Sequence, residues 1–277
     1  MHTVSLPSGE RVPALGQGTW MLGEDPARRA EEIAALQEGI ERGATLIDTA
    51  EMYGEGASEE LIAEAIAGRR EQVFLVSKVY PHNASRRATV AACERSLARL
   101  GTDRLDLYLL HWRGSVPLAE TVEALERLQA AGKIRHWGVS NLDPDDMDEL
   151  VAVPGGAAVA TDQVLYNLGR RGIEWDLLPW LRARGIPLMA YSPIEQNRLL
   201  RNAGLAGFAR RHGMTPAQAA LAWLLGNDDV IVIPRAGRRE HLRDNLGALE
   251  HPLSAGQRAE LDQLFPPPRG PRPLDML

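Results

Sequence analysis

The chain is poor in the residues that hold small secreted proteins together: its 277 residues include one cysteine, Cys93. A single cysteine excludes an internal disulfide and a Cys-x-x-Cys site, and it fits a reducing compartment. No apolar run approaches the roughly 18 residues of a membrane span. The N-terminus lacks the basic head and apolar core of a signal peptide. We therefore expect a cytoplasmic protein.

The chain also has fewer basic than acidic residues: 31 Lys and Arg against 37 Asp and Glu, which gives a net charge of −6. That balance argues against a nucleic-acid partner, which favours a basic domain. Several short motifs are missing as well. There is no P-loop, no His-x-His or His-Glu-x-x-His pair, and the glycines of GQGTWMLG do not have dinucleotide-fingerprint spacing.

What the chain does contain is a regular alternation of short apolar runs and longer amphipathic runs. The apolar runs predict strands: Ala14–Gly18, Thr45–Asp48, Val73–Ser77, Leu105–Leu110, Arg135–Val139, Ala158–Gln163, Pro187–Tyr191 and Val230–Ile233. The amphipathic runs predict helices: Ala27–Glu41, Ala57–Ala67, Arg86–Arg99, Leu118–Ala131, Pro144–Val151, Ile173–Arg184, Pro216–Leu225 and Arg239–Leu246. Eight such units over this length predict an α/β fold, the (β/α)8 TIM barrel. An open doubly wound sheet is the alternative.

Three segments fall outside the repeat. TVSLPSGERVPAL predicts an N-terminal β-hairpin that plugs the barrel floor, and Ser254–Leu264 predicts a C-terminal helix. The proline-rich tail from Phe265 to Leu277 predicts a loosely held end. With no linker in view, residues 1–277 are expected to form a single domain.

Ionisable side chains recur where the predicted strands end. Asp48 ends the second strand and Tyr53 lies in the following loop, while Lys78 and His111 follow the third and fourth strands. Each alone has an ordinary interpretation, as a turn former, a solvated lysine or a buried histidine. In a barrel, however, the C-terminal ends of the strands surround one mouth and carry the chemistry. We therefore expect these four residues to form one site.

These residues can protonate a carbonyl oxygen. A lysine about 4 Å from a phenol would favour the phenolate by roughly 4 kcal/mol, which could lower the tyrosine pKa by up to about 3 units. Tyr53 would then be a general acid suited to neutral pH, with Asp48 holding Lys78 in place and His111 orienting the carbonyl. Such a site supplies no hydride, so the electrons must come from a cofactor.

Motifs along nearly the whole chain resemble the aldo-keto reductase superfamily: GQGTW, LIDTAEMYGEG, FLVSKVY, LDLYLLHW, GKIRHWGVSN, DQVLYN, MAYSP and VIPRAGRREHLRDN. Within it, YPHNASRR, QVLYNLGRRGIEWDLLPW and the proline-rich ending most resemble the bacterial methylglyoxal reductases. The resemblance implies that Asp48, Tyr53, Lys78 and His111 are the catalytic tetrad. It also implies a nicotinamide cofactor across the mouth and a tail that folds over it.

The resemblance further implies which residues bind the cofactor and the substrate. The expected cofactor residues are Gly18, Thr19, Trp20, Ser140, Asn141, Gln163, Tyr191, Ser192, Pro193, Ile194, Ile233, Pro234, Arg235, Ala236, His241, Asp244 and Asn245. Ser140, Asn141 and Gln163 match the residues that hold the carboxamide, and the Tyr191 ring matches the one that stacks on the nicotinamide. Trp20, Tyr80 and Trp112 match the rim of the substrate pocket.

A basic segment after the last strand indicates where the cofactor phosphates lie. Barrels often bind phosphate beyond strands seven and eight, near a helix N-terminus. In the family this segment grips the 2′-phosphate of NADPH, so NADPH is expected rather than NADH. Two positions depart from the family pattern, because Ala236 replaces a frequent serine and His241 a frequent arginine. Family members that bind large substrates tend to have a long loop after the fourth strand, and this loop is short here, so the resemblance implies an open pocket for small aldehydes and α-dicarbonyls such as methylglyoxal. The protein is expected to be a monomer.

Two other functions are compatible with some of these residues. The same fold serves as a non-catalytic, cofactor-binding regulatory subunit. A metal-dependent hydrolase could use Asp48, His111 and Asp162, although no metal is expected in the absence of a paired-ligand motif.

Overall fold

A computed structural model describes residues 2–277 as a ring of parallel strands surrounded by helices. The strands are β1 (Thr3–Ser5), β2 (Arg11–Pro13), β3 (Gln17–Gly18), β4 (Leu46–Asp48), β5 (Phe74–Val79), β6 (Leu105–Leu110), β7 (Ile134–Ser140), β8 (Asp162–Leu165), β9 (Leu188–Tyr191) and β10 (Val230–Val232). The helices are α1 (Arg29–Glu41), α2 (Ala57–Ala65), α3 (Arg86–Leu100), α4 (Leu118–Ala130), α5 (Pro144–Ala152), α6 (Leu177–Ala183), α7 (Ala203–Arg211), α8 (Pro216–Leu225), α9 (Arg239–Gly247) and α10 (Ala255–Leu264).

The eight strands from β3 to β10 pair in chain order, each parallel to the next. The first and last strands also meet, because Gly16 N–H donates to Val232 O at 2.8 Å and Gly18 N–H donates to Pro234 O at 3.1 Å. These bonds close the sheet into a barrel. The predicted (β/α)8 fold is confirmed, and the open-sheet alternative is wrong.

The strands form because their residues are apolar on both faces. Every residue of β5 and β6 is buried, as expected for parallel strands covered by helices outside and side chains inside. Helix starts are marked locally: Thr215 and Gln218 form a capping box at the start of α8, and the Asp143 side chain accepts the Asp146 N–H at the start of α5.

The predicted hairpin is present and covers the barrel floor. β1 and β2 pair antiparallel, with Val4 opposite Val12, and the turn uses Gly9 at φ +85°. Val4 and Val12 are buried in a cluster with side chains that fill the barrel interior, including Leu107 and Ile231. Because the floor is filled, chemistry is confined to the opposite end.

Some predicted element boundaries are wrong. One helix was expected between the last two barrel strands, but two are present, since α7 precedes α8. The predicted helix Ile173–Arg184 begins instead with a short 3₁₀ turn at Gly172–Glu174, and α6 starts only after Asp176 caps Leu177. The sixth barrel strand also starts late, because a 3₁₀ turn at Gly156–Ala158 precedes it.

The C-terminal tail is held against the barrel, which contradicts the expectation of a loose end. Arg170 Nη1 lies 3.1 Å from Asp275 Oδ1, and Arg171 donates to the carbonyl oxygen of Phe265 at 2.5 Å. Leu274 packs against the outer apolar core. Two arginines that follow β8 therefore bring the tail toward the mouth.

Candidate active site

Lys78 lies at the centre of the site and has no exposed surface. Its ammonium group makes three hydrogen bonds, to Asp48 Oδ2 at 2.8 Å, to the Thr49 carbonyl oxygen at 2.8 Å and to Tyr53 Oη at 3.3 Å. An ammonium has three donors, so this set uses all of them and fixes its position. The predicted contact between Lys78 and Tyr53 is present.

Tyr53 reaches Lys78 because the chain turns sharply after β4. Tyr53 N–H donates to the Ala50 carbonyl at 3.1 Å. Gly54, Glu55 and Gly56 then follow with φ of +56°, +55° and +98°. Glycine adopts this left-handed backbone without steric cost, which explains the two glycines of the motif. The turn directs the tyrosine inward and starts α2 directly behind it.

The expected lowering of the Tyr53 pKa is wrong. Burial raises the pKa of Tyr53 well above its usual value of 10, and the nearby Asp48 carboxylate raises it further. Burial also lowers the pKa of Lys78, although Asp48 opposes that change. The cation is already paired with Asp48, so removal of water dominates at the phenol. Tyr53 is therefore a protonated hydrogen-bond donor.

His111 lies beside Tyr53, with ring centres 5.9 Å apart in an edge-on arrangement. Burial lowers the pKa of His111 well below 6.5, and the Lys78 charge lowers it further. The imidazole is therefore neutral at neutral pH. Its Nδ1 atom is buried without a hydrogen-bond partner among residues 2–277. A neutral imidazole can donate from one nitrogen, which suits a carbonyl oxygen.

Polar side chains expected to hold a carboxamide lie at β7, β8 and β9, and we call them the carboxamide wall. Ser140 Oγ donates to the Gln163 carbonyl at 2.7 Å, and Asn141 Nδ2 donates to Ser140 Oγ at 3.0 Å. Tyr191 Oη donates to Asn141 Oδ1 at 3.0 Å, which fixes its ring over the mouth. Gln163 Oε1 accepts no hydrogen bond within residues 2–277, so it can receive one from an amide ligand. This donor and acceptor set fits a nicotinamide carboxamide.

This wall connects directly to the tetrad, a link that sequence reasoning did not foresee. Gln163 Nε2 donates to Asp48 Oδ1 at 2.8 Å, so the two oxygens of Asp48 bind Gln163 and Lys78 respectively. The Thr49 carbonyl, the third partner of Lys78, was also missed. A backbone group leaves no signal in side-chain identity, and the Gln163 bond joins residues 115 positions apart.

The expected residues after β9 form a strained loop. Ser192 has φ +46°, and Glu195 has φ +51° although neither is glycine. Asn167 holds the loop through bonds to the Ser192 carbonyl at 2.9 Å and to Glu195 Oε2 at 2.8 Å. Pro193 is buried and Ile194 is half-buried within it. Such strain in a non-glycine loop indicates that the surrounding structure dictates its shape.

On the far side, the expected residues Gly18 and Thr19 lie where the barrel closes. A β-carbon on Gly18 would stand 2.7 Å from the Ile233 carbonyl oxygen, so glycine is needed there. Thr19 Oγ1 donates to the Asp48 carbonyl at 2.9 Å. Ile233 and Pro234 are buried in the adjoining segment, whereas Arg235 is exposed. The structure thus brings these expected cofactor residues together.

The basic segment after β10 is residues 233–245, and some of its arginines are already paired with a carboxylate of the protein. Arg243 binds Glu38 through Nε at 2.7 Å and Nη2 at 3.1 Å, and Arg239 lies 3.6 Å from the same carboxylate. The Arg243 hydrogen bonds, together with one from Arg42, lower the pKa of Glu38 to about 2. Of the other expected residues in this segment, Ala236 and Asn245 are buried, His241 is exposed and Asp244 accepts a bond from Thr215.

Two of the three expected substrate residues converge on the tetrad. The Tyr80 and Trp112 rings are 5.7 Å apart, and Trp112 lies 4.9 Å from the His111 ring. Trp20 is 41% exposed on the loop after β3. Glu51, which was not foreseen, is buried and accepts the Tyr80 N–H at 2.8 Å, so it positions this rim. Its acidic position inside the DTAEMYG motif was an available signal.

Within residues 2–277, no group of three histidine, cysteine or acidic side chains is placed to hold a metal ion. Asp48, His111 and Asp162 therefore do not form such a group. Asp162 is fully buried and both of its oxygens lack partners within the described chain. No helix in residues 2–277 is long and apolar enough to cross a membrane.

Comparisons with known proteins agree with this geometry. The family model described as "Aldo/keto reductase family" matches residues 14–265. The methylglyoxal reductase YeaE of Escherichia coli is 54% identical over 96% of this chain and 95% of its own length. The glyoxal reductase of Bacillus subtilis is 34% identical over 99% of this chain and 97% of its own length.

A solved structure gives the same result. The crystal structure of an aldo-keto reductase from Klebsiella pneumoniae in complex with NADPH matches with a TM-score of 0.97 and 50% identity. The match covers 100% of this chain and 99% of that one. The fold, the site and these comparisons agree that the chain belongs to the aldo/keto reductase family.

Proposed function

We propose that this protein reduces small aldehydes and α-dicarbonyls of the methylglyoxal type to alcohols, using NADPH. The observation that carries the proposal is the buried Asp48–Lys78–Tyr53 hydrogen-bonded chain, with neutral His111 beside it. The carboxamide wall supports a nicotinamide cofactor. The Klebsiella relative, which is solved with NADPH, supports the choice of that cofactor.

When bound beside the carboxamide-binding residues, NADPH would supply the hydride for the carbonyl carbon, and the residues of this chain supply the proton. Neutral His111 donates a hydrogen bond to the carbonyl oxygen and orients it. Tyr53 Oη gives its proton to that oxygen as negative charge develops there, and an alkoxide is basic enough to accept it even from a phenol of raised pKa. Lys78 Nζ, already 3.3 Å away, then stabilises the phenolate. Because its own pKa is lowered, Lys78 is suited to return a proton to Tyr53.

The substrate class rests on the rim and on the relatives. Only residues 111–117 separate β6 from α4, so no long loop covers the mouth on that side. Tyr80 and Trp112 offer apolar walls next to His111. The relatives named for methylglyoxal and glyoxal reduction have substrates with two adjacent carbonyls. A broad panel of carbonyl compounds tests the class, and activity confined to bulky ketones would contradict it.

The Tyr53→Phe variant tests the mechanism. It removes the proton donor while keeping the ring, so we expect NADPH oxidation with methylglyoxal to fall by about 10²- to 10⁴-fold. NADPH binding, followed by fluorescence titration, should be unchanged because Tyr53 is not part of the carboxamide wall. Unchanged turnover would refute the assigned role. Steady turnover by the wild type would exclude the regulatory-subunit alternative.

We also propose that residues 1–277 form one domain, and that the protein is a cytoplasmic monomer. The continuous barrel supports the first statement, and the single buried cysteine is compatible with a reducing compartment. Light scattering coupled to size exclusion should give the mass of one chain, and a dimer mass would contradict the proposal.

A further inference from the structure

Two arginines from opposite ends of the chain meet beside the barrel mouth. Arg28 is the residue immediately before α1, and Arg235 follows β10. A β-carbon on Gly237 would stand 2.8 Å from Arg28 Nη2, so the Arg28 guanidinium lies directly against the loop that carries Arg235. Although Arg235 is exposed, neighbouring protein atoms displace part of the water around its guanidinium and lower its pKa, and the Arg28 charge lowers that pKa further, as expected for cations close together.

The charge of this pair is only partly neutralised. The one carboxylate ion-paired with Arg28 is Glu32, and the separation of 3.6 Å is too long for a good hydrogen bond. The other oxygen of Glu32, Oε2, accepts the Gly23 N–H at 2.9 Å. Arg235 has no carboxylate within 4.0 Å in the described chain. Its Nη2 donates to the Met21 carbonyl at 3.3 Å. Glu24 contributes a weaker, exposed negative charge nearby.

The state of the Arg28 guanidinium points to a missing acceptor. Its Nε atom is buried and has no hydrogen-bond partner among residues 2–277. An unsatisfied buried donor costs about 1–3 kcal/mol, so such groups are normally paired. Among the arginines of residues 2–277, this state is found at Arg28 alone. Arg243 donates two hydrogen bonds to Glu38, whereas Arg239 and Arg238 make only loose ion pairs, at 3.6 Å with Glu38 and 3.7 Å with Glu31.

We propose that Arg28, together with Arg235, binds the 2′-phosphate of NADPH. The loop between β3 and α1, which carries Arg28, would then help to determine the preference for NADPH over NADH. The proposal rests on the proposed cofactor and extends its phosphate site beyond the segment after β10. Two guanidinium groups match a doubly charged phosphate, and α9 adds favourable backbone N–H groups because Arg238 does not cap it.

Calorimetric titration with two nucleotides isolates this contact without any catalysis. Adenosine 2′,5′-bisphosphate and adenosine 5′-monophosphate differ only in the 2′-phosphate. We expect Arg28→Gln to weaken binding of the bisphosphate by about 10-fold or more, the usual effect of losing a charged hydrogen bond. Binding of the monophosphate should stay at the wild-type value, which also shows that the variant is folded.

Arg29→Gln is the matched control, because it removes the same charge from the adjacent residue. Arg29 faces Glu64 instead, with bonds of 3.0 and 2.5 Å, so neither nucleotide should bind differently. If the wild type prefers the bisphosphate but Arg28→Gln retains that preference, the role of Arg28 is refuted and the NADPH proposal stands. If the wild type itself shows no preference, the NADPH proposal fails and the role of Arg28 fails with it.

Discussion

At the scale of single residues, burial changes the chemistry of this site more than charge pairing does. Lys78 and Tyr53 are in contact as their sequence positions predict, yet the Tyr53 pKa moves upward, because water is excluded from the phenol and Asp48 occupies the cation. The acid is therefore held fully protonated until a substrate oxygen gains charge. Acidity appears in the reaction itself and not in the resting site.

His111 gives a prediction about stability at the same scale. Its pKa is lowered in the folded protein, whereas an unfolded chain has the usual value near 6.5. As pH falls below 6.5 the unfolded state binds the proton first, so the stability due to neutral His111 is complete above 6.5 and is lost below it. Denaturation in urea at about pH 7.5 and about pH 5 should show this loss.

The His111→Gln variant supplies the control for that experiment. Glutamine does not titrate, so the decrease in unfolding free energy between the two pH values should be smaller than in the wild type. An equal decrease in both proteins would assign the pH dependence to other groups. In the wild type, the rate of reduction should also show no inflection near pH 6.5 from His111.

At the scale of elements, the shortest strand closes the barrel. β3 contains only Gln17 and Gly18, and it pairs with β4 on one side and contacts the β10 segment on the other. Gln17 adds anchoring through its side chain, which donates to the Ala44 carbonyl at 2.8 Å. Closure therefore depends on a backbone approach that few side chains permit.

Gly18→Ala should weaken this closure. The added β-carbon would stand 2.7 Å from the Ile233 carbonyl oxygen, and a backbone atom cannot move aside without displacing β10. We expect a loss of about 1–3 kcal/mol of unfolding free energy, the usual cost of overpacking. Denaturant unfolding measures it.

Gly207→Ala is the comparison for this substitution. Gly207 lies inside α7, and the closest atom to its β-carbon position is the flexible end of Arg211 at 3.3 Å. Alanine in a helix interior should stabilise by up to about 1 kcal/mol. A loss of equal size at both positions would show that the close contact at Gly18 has no special cost.

At the scale of the whole molecule, two apolar cores share the same strands. One fills the barrel interior above the hairpin, and the other lies between the strands and the helices. Five of the barrel strands, β4, β5, β6, β9 and β10, contribute to both cores, so neither core can be lost while the other persists. The tail joins this unit through the link from Glu195 to Arg170 to Asp275.

We therefore expect thermal unfolding in a single cooperative transition. Near-ultraviolet circular dichroism follows the buried aromatic residues, and far-ultraviolet circular dichroism follows the helices. Both should give the same midpoint if residues 1–277 form one domain. Two separated midpoints would contradict the single-domain proposal.

The sequence by itself determined the barrel, the floor hairpin and the meeting of Asp48, Tyr53, Lys78 and His111. Apolar periodicity is local information, and parallel strands joined by helices bring their carboxyl ends to the same side of the sheet. Only the tertiary structure decided the raised Tyr53 pKa, the bond from Gln163 to Asp48, the anchored tail and the approach of Arg28 to Arg235. Desolvation and long-range contacts depend on which groups exclude water or meet in space, and no window of neighbouring residues contains that information.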